Sequence, residues 1–136
     1  MYRKWFAIAA LMLAAIVLLS LSSCARPQQL VGITVTPTGS TITIAFGEVV
    51  GTQFTAYGTY IHPPATRDVT KTAVWTTDTP AIIAVDPTTA GLINTTGSGC
   101  GKNLGITATV KTSSSGNIVI GSATMDVTFG TNSNCP

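Results

Sequence analysis

Beyond residue 30 the apolar residues of this chain recur at every second position, and that period decides what the chain can fold into. Val31, Ile33 and Val35 alternate with Gly32, Thr34 and Thr36. Ile42, Ile44 and Phe46 alternate with Thr43 and Ala45, and Phe54, Ala56 and Tyr60 share one phase against Gln53, Thr55, Tyr57 and Thr59. A period of two sends one set of side chains to one face of a pleated strand, so these segments read as half-buried strands. Ala73 with Trp75, Ala81 to Val85, Leu92-Ile93, the set Ile106, Ala108 and Val110, Ile118 to Ile120, and the set Ala123, Met125, Val127 and Phe129 continue the pattern. No helical stripe of period 3.6 interrupts it.

Turn-forming residues separate these runs: Pro37-Thr38-Gly39, Gly47, His62-Pro63-Pro64, Asp78-Thr79-Pro80, Asp86-Pro87 through Gly91, Gly97-Ser98-Gly99 and 113–117. Short strands at roughly ten-residue spacing, with threonine on the wet faces, predict an all-β fold, an antiparallel β-sandwich. An eight-stranded barrel is the alternative. Trp75 is expected at the centre of the core. At 136 residues the chain holds one domain after processing.

The first segment has a different character. Arg3 and Lys4 precede Trp5 to Leu21, an almost purely apolar run that barely reaches the length needed to span a bilayer. This is the form of a secretory signal. Leu21-Ser22-Ser23-Cys24 then resembles the lipobox of bacterial lipoproteins. That resemblance implies removal of residues 1–23, a diacylglycerol thioether on Cys24 and a fatty acyl group such as palmitate on the new amino terminus. Only a thiol is nucleophilic enough for the first step. The alternatives are an uncleaved signal anchor, and an ordinary cleaved signal with Cys24 as a structural thiol. Two or three acyl chains hold a protein stably on a membrane. Ala25 stands where an aspartate would mark inner-membrane retention in diderm lipoproteins, so the expected location is the cell envelope, and the outer membrane if the organism has one. Residues 24–29 make the lipidated cysteine and its tether, and Ala25 to Gln29 span at most about 18 Å. Residues 30–136 make the domain.

Charge narrows the partners. Of all residues 9% are charged. From Arg26 onward Arg26, Arg67, Lys71, Lys102 and Lys111 balance Glu48, Asp68, Asp78, Asp86 and Asp126, giving a net charge near zero. The body of the chain has no basic cluster, so nucleic acid is not an expected partner. The expected partners are the membrane, through the lipid anchor, and an envelope protein or glycan.

A second resemblance spans nearly the whole processed chain. "GITVTP" (32–37), "GTQFTAYGTY" (51–60), "RDVTKTAVWTTDTPAIIAVD" (67–86), "AGLINTTGSG" (90–99) and "GITATV" (105–110) look like the successive blocks of the bacterial Ig-like, group 2 family. The resemblance covers about Leu30 to Phe129, in the family's order. It implies an Ig-like sandwich of the kind found in bacterial and phage surface proteins. This chain carries a single copy with no adhesin tip or catalytic domain attached, a departure from the tandem arrays on which such adhesins project their binding modules. In an Ig-like order the last two strands are antiparallel neighbours, so the loop before Ile106 and the tail after Phe129 should meet at one end of a sheet. A Cys100–Cys135 disulfide follows as the expectation in an oxidising compartment, with two free thiols as the alternative. A zinc site using both cysteines and His62 has the wrong spacing and lacks a fourth ligand.

A catalytic set is missing from this inventory. A hydrolase needs a nucleophile, a base and a group to orient the base. His62, the only histidine, precedes Pro63-Pro64 in a turn. Glu48, the only glutamate, follows Gly47 at a strand junction, with no carboxylate pair at glycosidase geometry. Asp78 and Asp86 bracket a strand, where turn capping competes with calcium binding, and Asp68 in "RDVT" reads as a structural turn. No enzyme activity, metal or cofactor is expected. Tyr57 is a candidate for a binding face, with Tyr60 expected on the same face of the strand, where either ring can stack on a sugar or a partner. Burial of Tyr60 in phase with Phe54 is the competing expectation.

Overall fold

A computed structural model describes residues 26–112 and 116–130. The signal segment, Cys24 and Cys135 lie outside the described residues. The period-two runs form strands β1 (Gln29–Thr36), β2 (Ser40–Ile44), β3 (Gly51–Gln53), β4 (Thr55–Ile61), β5 (Ala65–Asp68), β6 (Val74–Thr77), β7 (Ile83–Val85), β8 (Leu92–Thr95), β9 (Gly101–Lys111) and β10 (Ile118–Phe129). No helix occurs among the described residues.

The strands make two layers. One is the sheet β2-β10-β9-β6. The other joins β1-β4-β5 to β3-β8-β7, two ladders connected by the chain itself because only Phe54 separates β3 from β4. A single core lies between the layers, built from Val35, Ala56, Ile83 and Ile93 on one side and Ile44, Trp75, Ile106, Ala108, Ala123, Met125 and Val127 on the other, with Phe54 among them. This is the β-sandwich expected from the alternation, not the barrel. Burial of these side chains is the main force holding the layers together.

One pairing departs from the antiparallel rule. β1 pairs antiparallel with β4 in one layer, whereas β2, just beyond the Pro37–Gly39 turn, pairs parallel with β10 in the other. The first edge of the sandwich therefore switches sheets, and Gly39 N–H donates to Thr124 O at 2.8 Å where it does so. β9 and β10 are antiparallel neighbours, with Gly101 opposite Val127 and Lys111 opposite Ile118.

Four sequence expectations are corrected in detail. A bulge between Leu30 and Gly32 shifts the phase of β1, so Leu30 is buried and Val31 is 47% exposed. Phe46 lies past the end of β2 in a turn and is 83% exposed, its ring tilted against Phe129 at 6.1 Å. Ile118 and Ile120 face outward, because Ala123, Met125 and Val127 set the inward phase of β10. Trp75 is buried, but on the edge strand β6; the fully buried large side chains are Phe54, Ile44, Ile83, Ile93, Ile106, Met125 and Val127.

Candidate functional site

The stretch Asp68 to Trp75 carries the chain from β5 to β6 between the two layers. Asp68 Oδ1 accepts from Thr70 N–H at 2.8 Å, an Asx-type turn that bends the chain out of the ladder. Buried Thr70 then accepts from the Ala56 N–H at 2.9 Å through its hydroxyl, while its carbonyl accepts from Trp75 Nε1–H at 2.9 Å. One threonine thus satisfies a β4 amide and the indole. Hydrogen bonds from Thr70, its side chain first and its backbone second, hold the Asp68 carboxyl below its ordinary range.

A second loop, from Asp86 to Gly91, folds over the neighbouring edge. Asp86 Oδ1 accepts from Thr88 Oγ1 at 2.7 Å, Thr88 N at 2.9 Å and Thr89 N at 2.8 Å, and Oδ2 accepts from Asn94 Nδ2 at 3.1 Å. These bonds, led by the Thr88 hydroxyl, lower the carboxyl to about 2. Gly91, at φ +79°, lets the loop close, with Phe54 N–H donating to Gly91 O at 2.7 Å.

Between the two loops lies an open cleft of about 690 Å³, lined by Gln53, Thr55, Asp68, Lys71, Thr72 and Thr88 among others. It offers hydroxyls, an amide, one ammonium and one carboxylate, a donor and acceptor set suited to hydrogen-bonding a polar ligand. No sequence signal pointed to it, since three stretches far apart in the chain build it.

Tyr57 stands opposite Asp68 across the β4–β5 ladder and is 41% exposed. The expectation that Tyr60 shares its face is corrected: the two are three positions apart, so strand parity sends them to opposite faces. Tyr60 is half-buried against the core, and the Arg67 guanidinium lies 5.5 Å from its ring centroid. Turn capping is met at Asp86 and at Glu48, whereas Asp78 reaches across to β9. Asp78 Oδ1 accepts from Gly105 N at 2.9 Å and Thr79 Oγ1 at 2.6 Å, and Glu48 Oε2 accepts from Ala45 N at 2.7 Å. His62 is exposed in the β4–β5 turn, at φ +61°. Among the described residues, His, Cys, Asp and Glu side chains nowhere gather in a group of three able to hold a metal ion. Cys100 lies half-buried immediately before β9.

Set against models of known protein families and against curated proteins, the chain matches none.

Proposed function

We propose that this is a lipid-anchored protein of the bacterial cell envelope whose Ig-like domain is a noncatalytic structural or protein-interaction module. The observation that carries the reading is Leu21-Ser22-Ser23-Cys24, placed at the end of the apolar run and only five residues ahead of β1. The block order resembling group 2 bacterial Ig-like domains supports it, as do the Glu48, Asp68, Asp78 and Asp86 carboxylates, each of which accepts from a backbone amide. Ala25 favours the outer membrane in a diderm cell. Intact and peptide mass spectra of protein extracted in detergent from its own membranes test the anchor. The expected chain begins at Cys24 and carries acyl mass on that residue; an intact Met1 terminus overturns the reading.

A second reading, a surface adhesin or carbohydrate-binding module, draws on Tyr57, an exposed ring directly opposite a residue of the hydroxyl-lined cleft. Binding to a glycan array that disappears in Tyr57→Ala supports it; an array without signal rejects it.

The Cys100–Cys135 disulfide belongs to the same proposal. Gly101 pairs with Val127, so Cys100 lies beside the strand whose exit leads to Cys135. The six residues from Phe129 to Cys135 reach up to about 20 Å, enough to return to that end of the sheet.

A further inference from the structure

The two ends of the sandwich differ in charge, and the difference follows the tether. Gln29 pairs with Ile61 at the start of β1, and Gln28 Nε2 donates to Pro63 O at 3.1 Å, so the chain arriving from Cys24 enters beside the β4–β5 turn. A surface groove at this end is lined by Gln28, Leu30, Tyr60, Val110 and Lys111 among others. Arg67 lies over Tyr60, Arg26 is part of the tether itself, and exposed His62 occupies the turn.

The carboxylates lie elsewhere. Asp126 accepts from Asn103 N–H and Glu48 from Ala45 N–H, both toward the opposite end of β9 and β10. Asp78 is held at Gly105, six residues and about 20 Å along β9 from Lys111. Asp86 is tied into the β7–β8 loop, and Asp68, the nearest, is level with Tyr57 and turned to Thr70.

The same end carries an apolar row. Lys111 pairs with Ile118, and Thr109 pairs with both Ile120 and Val74, so these side chains share the outward face of the sheet β2-β10-β9-β6. Ile118, Ile120 and Val74 are each more than 60% exposed, although neighbouring Ala108 and Trp75 are buried. Basic side chains beside exposed aliphatic ones, with no carboxylate among them, match a bilayer surface whose headgroups are anionic and whose acyl boundary lies just beneath.

We infer that the tether end of the sandwich, through Arg26, Arg67, Lys111, Ile118 and Ile120, docks on the anionic leaflet that holds the anchor. The inference rests on the lipid anchor proposed above and adds an orientation to it. From Cys24 to Gln28 the chain spans at most about 14 Å. The tether thus lets this end of the sandwich come down to the surface, where basic residues feel a potential that decays over about 8 Å at physiological salt. The opposite end, with Glu48, Asp126 and the cleft side of the loops, then faces away from the membrane.

The test uses the processed, lipidated protein in nanodiscs of phosphatidylcholine, with and without phosphatidylglycerol, containing a small share of doxyl-labelled lipid. Methyl NMR reads the broadening of Ile118 and Ile120, with Val49 at the far end as internal reference. The expected result is selective broadening of Ile118 and Ile120 in the anionic discs. It is lost in phosphatidylcholine discs, at high salt and in the double variant Arg67→Glu with Lys111→Glu. Even broadening of all three methyls, or selective broadening indifferent to lipid charge, overturns the docking while leaving the anchor intact. Shifts of Ile118 and Ile120 that follow protein concentration assign the patch to a second copy and likewise overturn it. A chain without acyl mass on Cys24 overturns the anchor, and this docking with it.

Discussion

The indole of Trp75 donates to the carbonyl of Thr70 across a five-residue turn, at 2.9 Å, and this bond fixes how the chain passes from one layer to the other. Trp75 is buried at 8% exposure on an edge strand, where no further strand can compensate for its loss. Trp75→Ala is expected to cost about 3 to 5 kcal/mol. Trp75→Phe keeps most of the apolar volume and loses the hydrogen bond, about 1 kcal/mol. Urea unfolding of the two variants and the parent chain checks the order; a Phe variant with the parent midpoint would show that the indole N–H contributes nothing, and equal midpoints for Ala and Phe would show that the ring volume contributes nothing.

Thr70 serves both layers at once, because its hydroxyl accepts the Ala56 amide while its backbone receives the indole. Thr70→Val preserves the shape and leaves a buried N–H without an acceptor, a loss expected at about 1 to 3 kcal/mol. Thr70→Ser retains the acceptor and is expected to lose much less. Chemical denaturation of both variants tests this, and a Ser variant as unstable as Val would assign the effect to the γ-methyl.

Asp86 gives the domain an acid-sensitive loop. Its carboxyl is held at about 2 in the folded state, against 3.8 for the unperturbed group, chiefly by the Thr88 hydroxyl and by the Thr88 and Thr89 amides. Because the folded value is the lower one, the stabilisation is fully present above the unfolded value and is lost as pH falls through the folded one. Denaturation midpoints should therefore decline between about pH 5 and pH 2, and Asp68, shifted in the same direction by Thr70, adds to that decline. Asp86→Asn should flatten the profile. An unchanged slope in that variant would move the acid sensitivity to other carboxylates.

Gly91 closes the loop that Asp86 organises. Its φ of +79° is costly for side-chain-bearing residues, and a Cβ there would lie 2.3 Å from the Phe54 carbonyl oxygen. Gly91→Ala is expected to destabilise by upwards of about 2 kcal/mol, by adding that clash to the strained dihedral. Thermal melting checks it; an unchanged melting point in Gly91→Ala would show that the loop relaxes to accept the Cβ without loss.

The two-layer fold was legible in the sequence because most strands bury a single face, and alternating residues such as Ile106, Ala108, Met125 and Val127 report that directly. Phase was legible only where a strand stays regular. The Leu30/Gly32 bulge reverses the sense of Val31, and nothing in the residues marks it. Ile118 and Ile120 look like core in isolation, yet counting back by twos from Ala123 reaches Val119, so parity already assigned them to the outside. The same count separates Tyr57 from Tyr60. The cleft was not legible, because Gln53, Asp68 and Thr88 become neighbours only through the packing of loops distant in sequence.

The proposed Cys100–Cys135 link offers the clearest test of how the far end of the sandwich is closed. Cys100 immediately precedes β9, whose first residue lies opposite Val127, and the tail beyond Phe129 leaves from the same end of the sheet. A bridge there ties the carboxyl-terminal tail to the β8–β9 loop and limits the freedom of the unfolded chain between residues 100 and 135. On the chain-entropy model such a closure contributes about 3 to 4 kcal/mol. Non-reducing peptide maps should show a Cys100–Cys135 crosslink, and reductant should lower the urea midpoint by the corresponding amount. The paired variant Cys100→Ser with Cys135→Ser should match the reduced protein and ignore reductant. A midpoint unaffected by reductant, with both thiols open to alkylation in the folded protein, would show that strand pairing alone closes this end.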